Sequence, residues 1–274
     1  MFSVKRAVDF DFGANWKSFS ERALTAKAIA QAKEDFVDLT AEVDLRGNSF
    51  LDIGFGQGLS LLIATLMGAN TIGCDINPLC AEVLQMNQRR HFPELADRRI
   101  PVVVGSILDE RIVDLLRKAP DQTTRAYNVV HSWGVLHHTG DMKRAIQIAA
   151  SLVAPGGYLI IAIYARHWSS GGWRMIKRFY NRSSQIVQRM LVGILYPTIY
   201  LAKWLVMRRS PLQQTRGMDF YYDVVDWVGG YPYEYATVEE IQSLVEPLGF
   251  RLERIIPATV PTGCNQFVFR SQRS

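Results

Sequence analysis

The 274-residue chain has few cysteines, a long segment without acids, and a glycine loop that lacks the last glycine a dinucleotide would need. Each shortage excludes something. Cys74, Cys80 and Cys264 are the only cysteines and form no C-x-x-C pair. An odd, scattered count fits reduced thiols rather than a disulfide framework or a zinc site, so no metal is expected. The first ten residues carry Lys5 and Arg6 but no apolar run behind them. A secretory leader is therefore not expected, and the expected compartment is the cytoplasm. From Arg166 to Arg216 there are ten basic residues and no Asp or Glu; taking those ten charges from the net +5 leaves the rest of the chain at −5. An asymmetry of this kind directs the segment toward an anionic partner or surface.

What is present is 48% hydrophobic content, enough for a full core. The organising stretch is Ser49-Phe50-Leu51-Asp52-Ile53-Gly54-Phe55-Gly56-Gln57-Gly58-Leu59-Ser60, which reads as strand, tight loop and helix. Alternating glycines permit positive φ and close approach of a ligand to the backbone, while the helix N-terminus supplies free N–H groups. The dinucleotide fingerprint G-x-G-x-x-G would place its last glycine where Leu59 stands. Asp52, just before the loop, would repel a pyrophosphate but suits an ammonium group. Asp52 to Gly58 resembles motif I of the class I S-adenosylmethionine (SAM) methyltransferases, whose ligand is a zwitterion bearing a sulfonium. The competing reading is a tight turn with no ligand.

The rest of the chain is read against that resemblance. Phe10 to Trp16 is an aromatic lead-in, and Ser20-Glu21 is expected to open one helix running to about Leu39. Trp16 is carried as a cap over the ligand, with core packing as its alternative. Thr71 to Asp75 is a short strand, and Asn77-Pro78 gives the next helix an N-cap and an N1 proline. Asp75 lies 21 residues after Gly54, the place for an acid that holds a ribose diol; Ile76 follows it into the site. Ile100 to Val104 is expected to be a buried strand. Beyond it Ser106 and Ile107 stand where the family contacts adenine, although many members carry Asp at the position of Ser106.

Tyr127 to Asp141 is the fourth strand and its loop, with three of the five histidines. It resembles the family's motif IV, and its register matches the E-H-V-P loop of ubiquinone-biosynthesis O-methyltransferases. His137 stands at the Glu and His138 at the His; Ser132 and Trp133 precede them as cofactor and substrate contacts. Imidazole is suited to taking a proton near neutral pH. Adjacent side chains rarely point the same way, so one of the pair is the candidate base, His138 first. Val153-Ala154-Pro155-Gly156-Gly157 resembles the family's L-x-P-G-G turn and is given a structural role only.

Residues 164–235 are too long for a simple crossover. Trp173, Ile176, Phe179 and Tyr180 are expected on one helical face, with Arg174, Arg178 and Arg182 on another. Met190 to Met207 is an apolar stretch broken by Gly193, Pro197 and Lys203, expected as two helices hinged at Pro197. A packed lid and a lid that touches membrane or lipid are both open readings. Tyr221 to Glu234 is expected as an aromatic loop lining a substrate pocket, with Tyr222, Tyr231 and Tyr233 as contacts. Thr237 and Glu240 form a capping box. Two closing strands bring Asn265 toward the substrate.

Together these give an α/β doubly wound seven-stranded sheet in the order 3-2-1-4-5-7-6 that the resemblance implies, the last strand antiparallel. The expected parts are an N-terminal helical cap (1–45), a Rossmann-like SAM-binding core (46–164), a helical substrate lid (165–235) and closing helix and strands (236–274). The implied function is SAM-dependent methyl transfer to a small-molecule hydroxyl of a phenol, quinone precursor or glycan, free or lipid-linked. An RNA methyltransferase and a SAM-binding protein without transferase activity are the alternatives. The long apolar stretches between the basic residues weigh against nucleic acid, and peripheral membrane contact through 165–216 stays open.

Overall fold

Short apolar runs bounded by glycine, proline and capping residues alternate with helical segments, and the chain folds accordingly. The computed structural model describes residues 10–118, 126–208, 210–212 and 219–273. The N-terminal Lys5 and Arg6, and Arg209 and Arg216 of the basic segment, lie outside them.

Two helices come first, α1 (Phe12–Arg22) and α2 (Ala26–Leu39), where one was expected from Ser20. The break has a local cause. Thr25 is extended and its hydroxyl accepts from the Ala28 N–H, so a new N-cap forms there. Then follow β1 (Ser49–Ile53), α3 (Leu59–Leu66), β2 (Asn70–Asp75), α4 (Pro78–His91), β3 (Val102–Val104), α5 (Glu110–Arg117), β4 (Tyr127–Trp133), α6 (Met142–Ser151) and β5 (Val153–Tyr164). Helices α7 (Ser170–Arg182), α8 (Gln185–Met207), α9 (Phe220–Gly229) and α10 (Val238–Val245) lead to β6 (Phe250–Ile256) and β7 (Cys264–Ser271).

The sheet order is β3-β2-β1-β4-β5-β7-β6. Strands β1 to β5 run parallel, and β7 lies antiparallel between β5 and β6. Apolar clusters cover both faces: α6 and α10 pack on one, α2 and α3 on the other. The third strand is shorter than expected and half open, because it is the sheet's edge. In this arrangement the carboxyl ends of β1, β2, β4 and β5 converge, with α1 and the α7–α9 helices above them.

The segment between β5 and α10 corrects three expectations. Helix α8 runs unbroken through Pro197. An interior proline costs a helix about 3 kcal/mol, but Val192 and Ile199 on either side of it are buried in the cluster with α9, which holds both halves in one helix. Residues from Tyr221 form not a loop but most of α9, because Asp219 accepts from the N–H groups of Tyr221 and Tyr222 and Phe220, Val224 and Val228 bury a stripe at i+4 spacing. On α7 it is Lys177 that turns inward, while Phe179 is 58% exposed.

Candidate active site

The loop after β1 has the conformation its glycines suggest. Gly54 and Gly56 have φ of +74° and +54°. A Cβ on Gly54 would lie 2.3 Å from a Val135 methyl, and one on Gly56 2.8 Å from Trp16 Nε1. Val135 and Trp16 can pack this closely on the loop only while these positions are glycine. Gly58 begins α3 and packs on Leu84, outside the cavity wall.

Asp75 ends β2 beneath this loop. Its Oδ2 accepts from the Gly56 N–H at 3.0 Å and its Oδ1 from the Asn77 N–H at 2.9 Å. Burial raises its carboxyl, and those two donors oppose the rise. The strand register sets Asp52 opposite His131, and His131 Nδ1 lies 2.7 Å from Asp52 Oδ1 with both residues buried. His131 in turn stacks on Phe50 at 5.7 Å.

One cavity of about 1390 Å3 joins these groups. Trp16, Asp52, Gly54, Gly56, Asp75, Ile76, Ser106 and Ile107 line one part of it; Trp133, His138 and Tyr231 line another. The wall does not include Ser132, His137, Tyr222, Tyr233 or Asn265. Ser132 Oγ donates to the Ile53 carbonyl at 2.9 Å, and Asn265 Oδ1 accepts from the Ala258 N–H. The Tyr222 hydroxyl sits 3.1 Å from Ser18 Oγ, and Tyr233 is buried.

The two histidines separate by environment. His137 is fully buried, its ring 4.1 Å from Tyr164 and 4.4 Å from His138. Burial, then His138 and Lys177, push it well below the usual imidazole range. His138 reaches the cavity. Its Nδ1–H donates to the Pro232 carbonyl at 2.5 Å, which fixes the tautomer and leaves the Nε2 lone pair available. Burial lowers His138 to about 3, so the ring is neutral at physiological pH.

A family model described as a methyltransferase domain matches residues 24–253, most of the chain. The chain belongs to the methyltransferase-domain family. A ubiquinone biosynthesis O-methyltransferase from Chromobacterium violaceum is 25% identical over 133 residues, 48% of this chain and 50% of that protein. The chain spans about half the length of the curated relatives it matches. Among solved structures, a magnesium protoporphyrin IX methyltransferase from Synechocystis PCC 6803 with bound S-adenosylhomocysteine is similar with a TM-score of 0.54 and 16% identity, covering 94% of this chain and 93% of that one. An O-methyltransferase family protein from Burkholderia thailandensis gives a TM-score of 0.54 at 14% identity, covering 94% of this chain and 60% of that one. At these identities the structures speak for the fold alone.

The chain has functional candidates that sequence reasoning missed, all beyond the cofactor motifs. Asp226 of α9 faces the cavity, its Oδ1 accepting from Asn15 Nδ2 at 3.0 Å. Burial raises it to about 7. Lys177 is completely enclosed, its ammonium 4.2 Å from the Trp227 ring centre and 4.8 Å from that of Tyr233, and it donates to the Trp227 carbonyl. Burial lowers it to about 7, while Asp226 pulls the other way. Tyr164 closes the group over His137 and His138. Helical spacing of Asp223 and Asp226 with Phe220 and Val224 was the available signal, concealed by the aromatic, Gly-Gly-ended composition of the segment.

Proposed function

We propose that this methyltransferase moves the methyl group of SAM to a hydroxyl of a small, largely apolar acceptor, a phenol, quinone precursor or glycan carried on a lipid. The observation that carries this reading is the single cavity joining a glycine cradle and a buried carboxylate to an aromatic chamber that contains His138. The cradle fits the cofactor, since Gly54 and Gly56 line the cavity with positive φ and no side chain, and the Asp75 carboxylate sits beneath them. In this reading the loop and Asp52 hold the methionine part, Asp75 the ribose, Ser106 and Ile107 the adenine, and Trp16 covers the site from α1.

Bound there, SAM supplies an electrophilic methyl on a sulfonium. The chain's task is then alignment and proton removal. Phe12, Trp133, Tyr164, Trp227 and Tyr231 border the chamber and exclude water around a flat or chain-bearing acceptor, so that positioning supplies much of the rate. His138 Nε2, its ring held by the Pro232 carbonyl, accepts the hydroxyl hydrogen as the methyl bonds to the oxygen, the stage at which that hydrogen becomes acidic enough for so weak a base. Support for a hydroxyl acceptor comes from the partial relatives named for O-methylation in ubiquinone biosynthesis. In this reading the chain is a cytoplasmic protein that reaches a lipid-linked acceptor by peripheral membrane contact through residues 165–216.

The test is transfer of labelled methyl from SAM into separated lipid, quinone and RNA extracts. Label in lipid or quinone is the expected outcome. Label in RNA alone, or none in any fraction despite SAM binding, would overturn the reading.

A further inference from the structure

One face of α8 has no neighbour among the described residues. Val192 and Ile199 pack toward Phe220 and Val224 of α9. Ile186, Met190, Ile194, Leu201 and Leu205, by contrast, are all more than half exposed. With Pro197 they recur at three- and four-residue intervals and form one stripe along a 23-residue helix, a length of about 34 Å. Met175 and Phe179 of α7 are likewise exposed. A continuous apolar strip of this size marks an interaction surface.

The charges around it discriminate between occupants. Arg178, Arg182 and Arg189 are exposed and form no ion pair among the described residues, and residues 166–216 contain no acid. A second copy of the chain packed symmetrically on this stripe would set arginines against arginines. An anionic lipid surface satisfies both the apolar stripe and its arginines. A spanning orientation fits poorly, because α8 is tied to α9 by its buried face and by the Lys203–Asp223 pair. Crossing the bilayer would draw Asp219, Asp223 and Asp226 toward hydrocarbon. The helix therefore suits the plane of the interface.

The cavity opens beside this stripe. Ala202, Val206 and Met207 of α8 line it, next to Leu201 and Leu205, and Val206 is at the same time 52% exposed. We propose that the bare face of α8, with the arginines of α7 and Arg189, seats the protein in the plane of an anionic bilayer, with the cavity mouth turned toward the lipid. A membrane-dissolved acceptor then enters from the bilayer without crossing water. The delivery role rests on the methyl-transfer reading above; the docking does not.

The experiment uses the full chain and vesicles of phosphatidylcholine, alone or mixed with phosphatidylglycerol, in co-sedimentation at low and high salt. Binding is expected to the mixed vesicles and to weaken with salt. Arg178→Glu/Arg182→Glu/Arg189→Glu should lower partition by more than roughly 10²-fold, since each basic residue lost from an anionic surface is worth about a factor of five and each carboxylate gained adds repulsion. Trp204, at the stripe's edge, should be quenched by lipids with brominated acyl chains; Trp204→Phe and Leu201→Asp/Leu205→Asp should each remove that quenching. Circular dichroism and melting show whether each variant is folded. Equal binding to neutral and anionic vesicles, or binding untouched by charge reversal, overturns the proposal. So does a dimer that Leu201→Asp/Leu205→Asp disperses, or a wild-type protein that binds no vesicle. S-adenosylhomocysteine titration of the same samples keeps the two readings apart: cofactor binding without vesicle binding sinks only the docking, and the converse sinks only methyl transfer.

Discussion

Replacing Gly54 by alanine tests whether the cradle's shape is set by the fold or adapts to what occupies it. The backbone there has φ of +74°, and the new Cβ would fall 2.3 Å and 2.4 Å from the two methyls of Val135. Left-handed backbone at a residue with a Cβ costs roughly 1–2 kcal/mol, and forcing a methyl into filled space costs about 1–3 kcal/mol more. A loss of roughly 2–5 kcal/mol is expected in urea melts followed by circular dichroism. Val135→Ala in the same background removes the two methyl contacts but keeps its own Cβ, 2.8 Å from the new one, so the double mutant should recover only part of the steric cost, about 1–2 kcal/mol relative to additivity. If Gly54→Ala costs under about 1 kcal/mol, or the two changes simply add, the loop yields to its neighbours and the argument from a fixed cradle fails.

Three other outcomes follow from the site. His138→Ala should lower kcat by roughly 10²-fold while S-adenosylhomocysteine affinity holds; full turnover in this variant would make the ring structural. Burial lowers His137 well below 6.5 and His138 to about 3, so the unfolded chain takes up protons near pH 6.5 that the folded chain refuses. The stability that these two neutral rings contribute should be fully present above that pH and fall as the pH drops from there toward the folded values, and His138→Gln should make the decline in Tm between pH 7.5 and 5 less steep than in the wild type, where Lys177 and Asp226 titrate as well; an identical slope would contradict the assignment. His131→Phe should cost about 3–5 kcal/mol in urea melts, because it strips a buried carboxylate of its partner; a loss under about 1 kcal/mol would mean that Asp52 finds other support.

The parts that were legible in the sequence are those encoded locally. The glycine loop, Asp75 with the Asn77 cap, the Thr237 capping box and the alternation of apolar runs with helices need only neighbouring residues, and all stand where local rules put them. What could not be read depends on distant chain. The Asp52–His131 contact joins residues 79 apart and exists only through the β1–β4 register. Helix α9 carries bulky aromatic and β-branched residues that favour strand or loop when isolated, and it becomes helical because α8 and Phe10 cover its apolar stripe. The same packing holds α8 together as one helix across Pro197. In the sequence Lys177 is one of the ten basic residues between Arg166 and Arg216, yet it is enclosed because Tyr164, Trp227 and Tyr233 surround that point of α7.

Calorimetric titration of the purified protein with S-adenosylhomocysteine and with NAD tests the central claim most directly. Saturable binding of S-adenosylhomocysteine, absent for NAD and abolished by Gly56→Val, which sets a branched side chain against Trp16, is the predicted result. Tight NAD binding with no response to S-adenosylhomocysteine would contradict it.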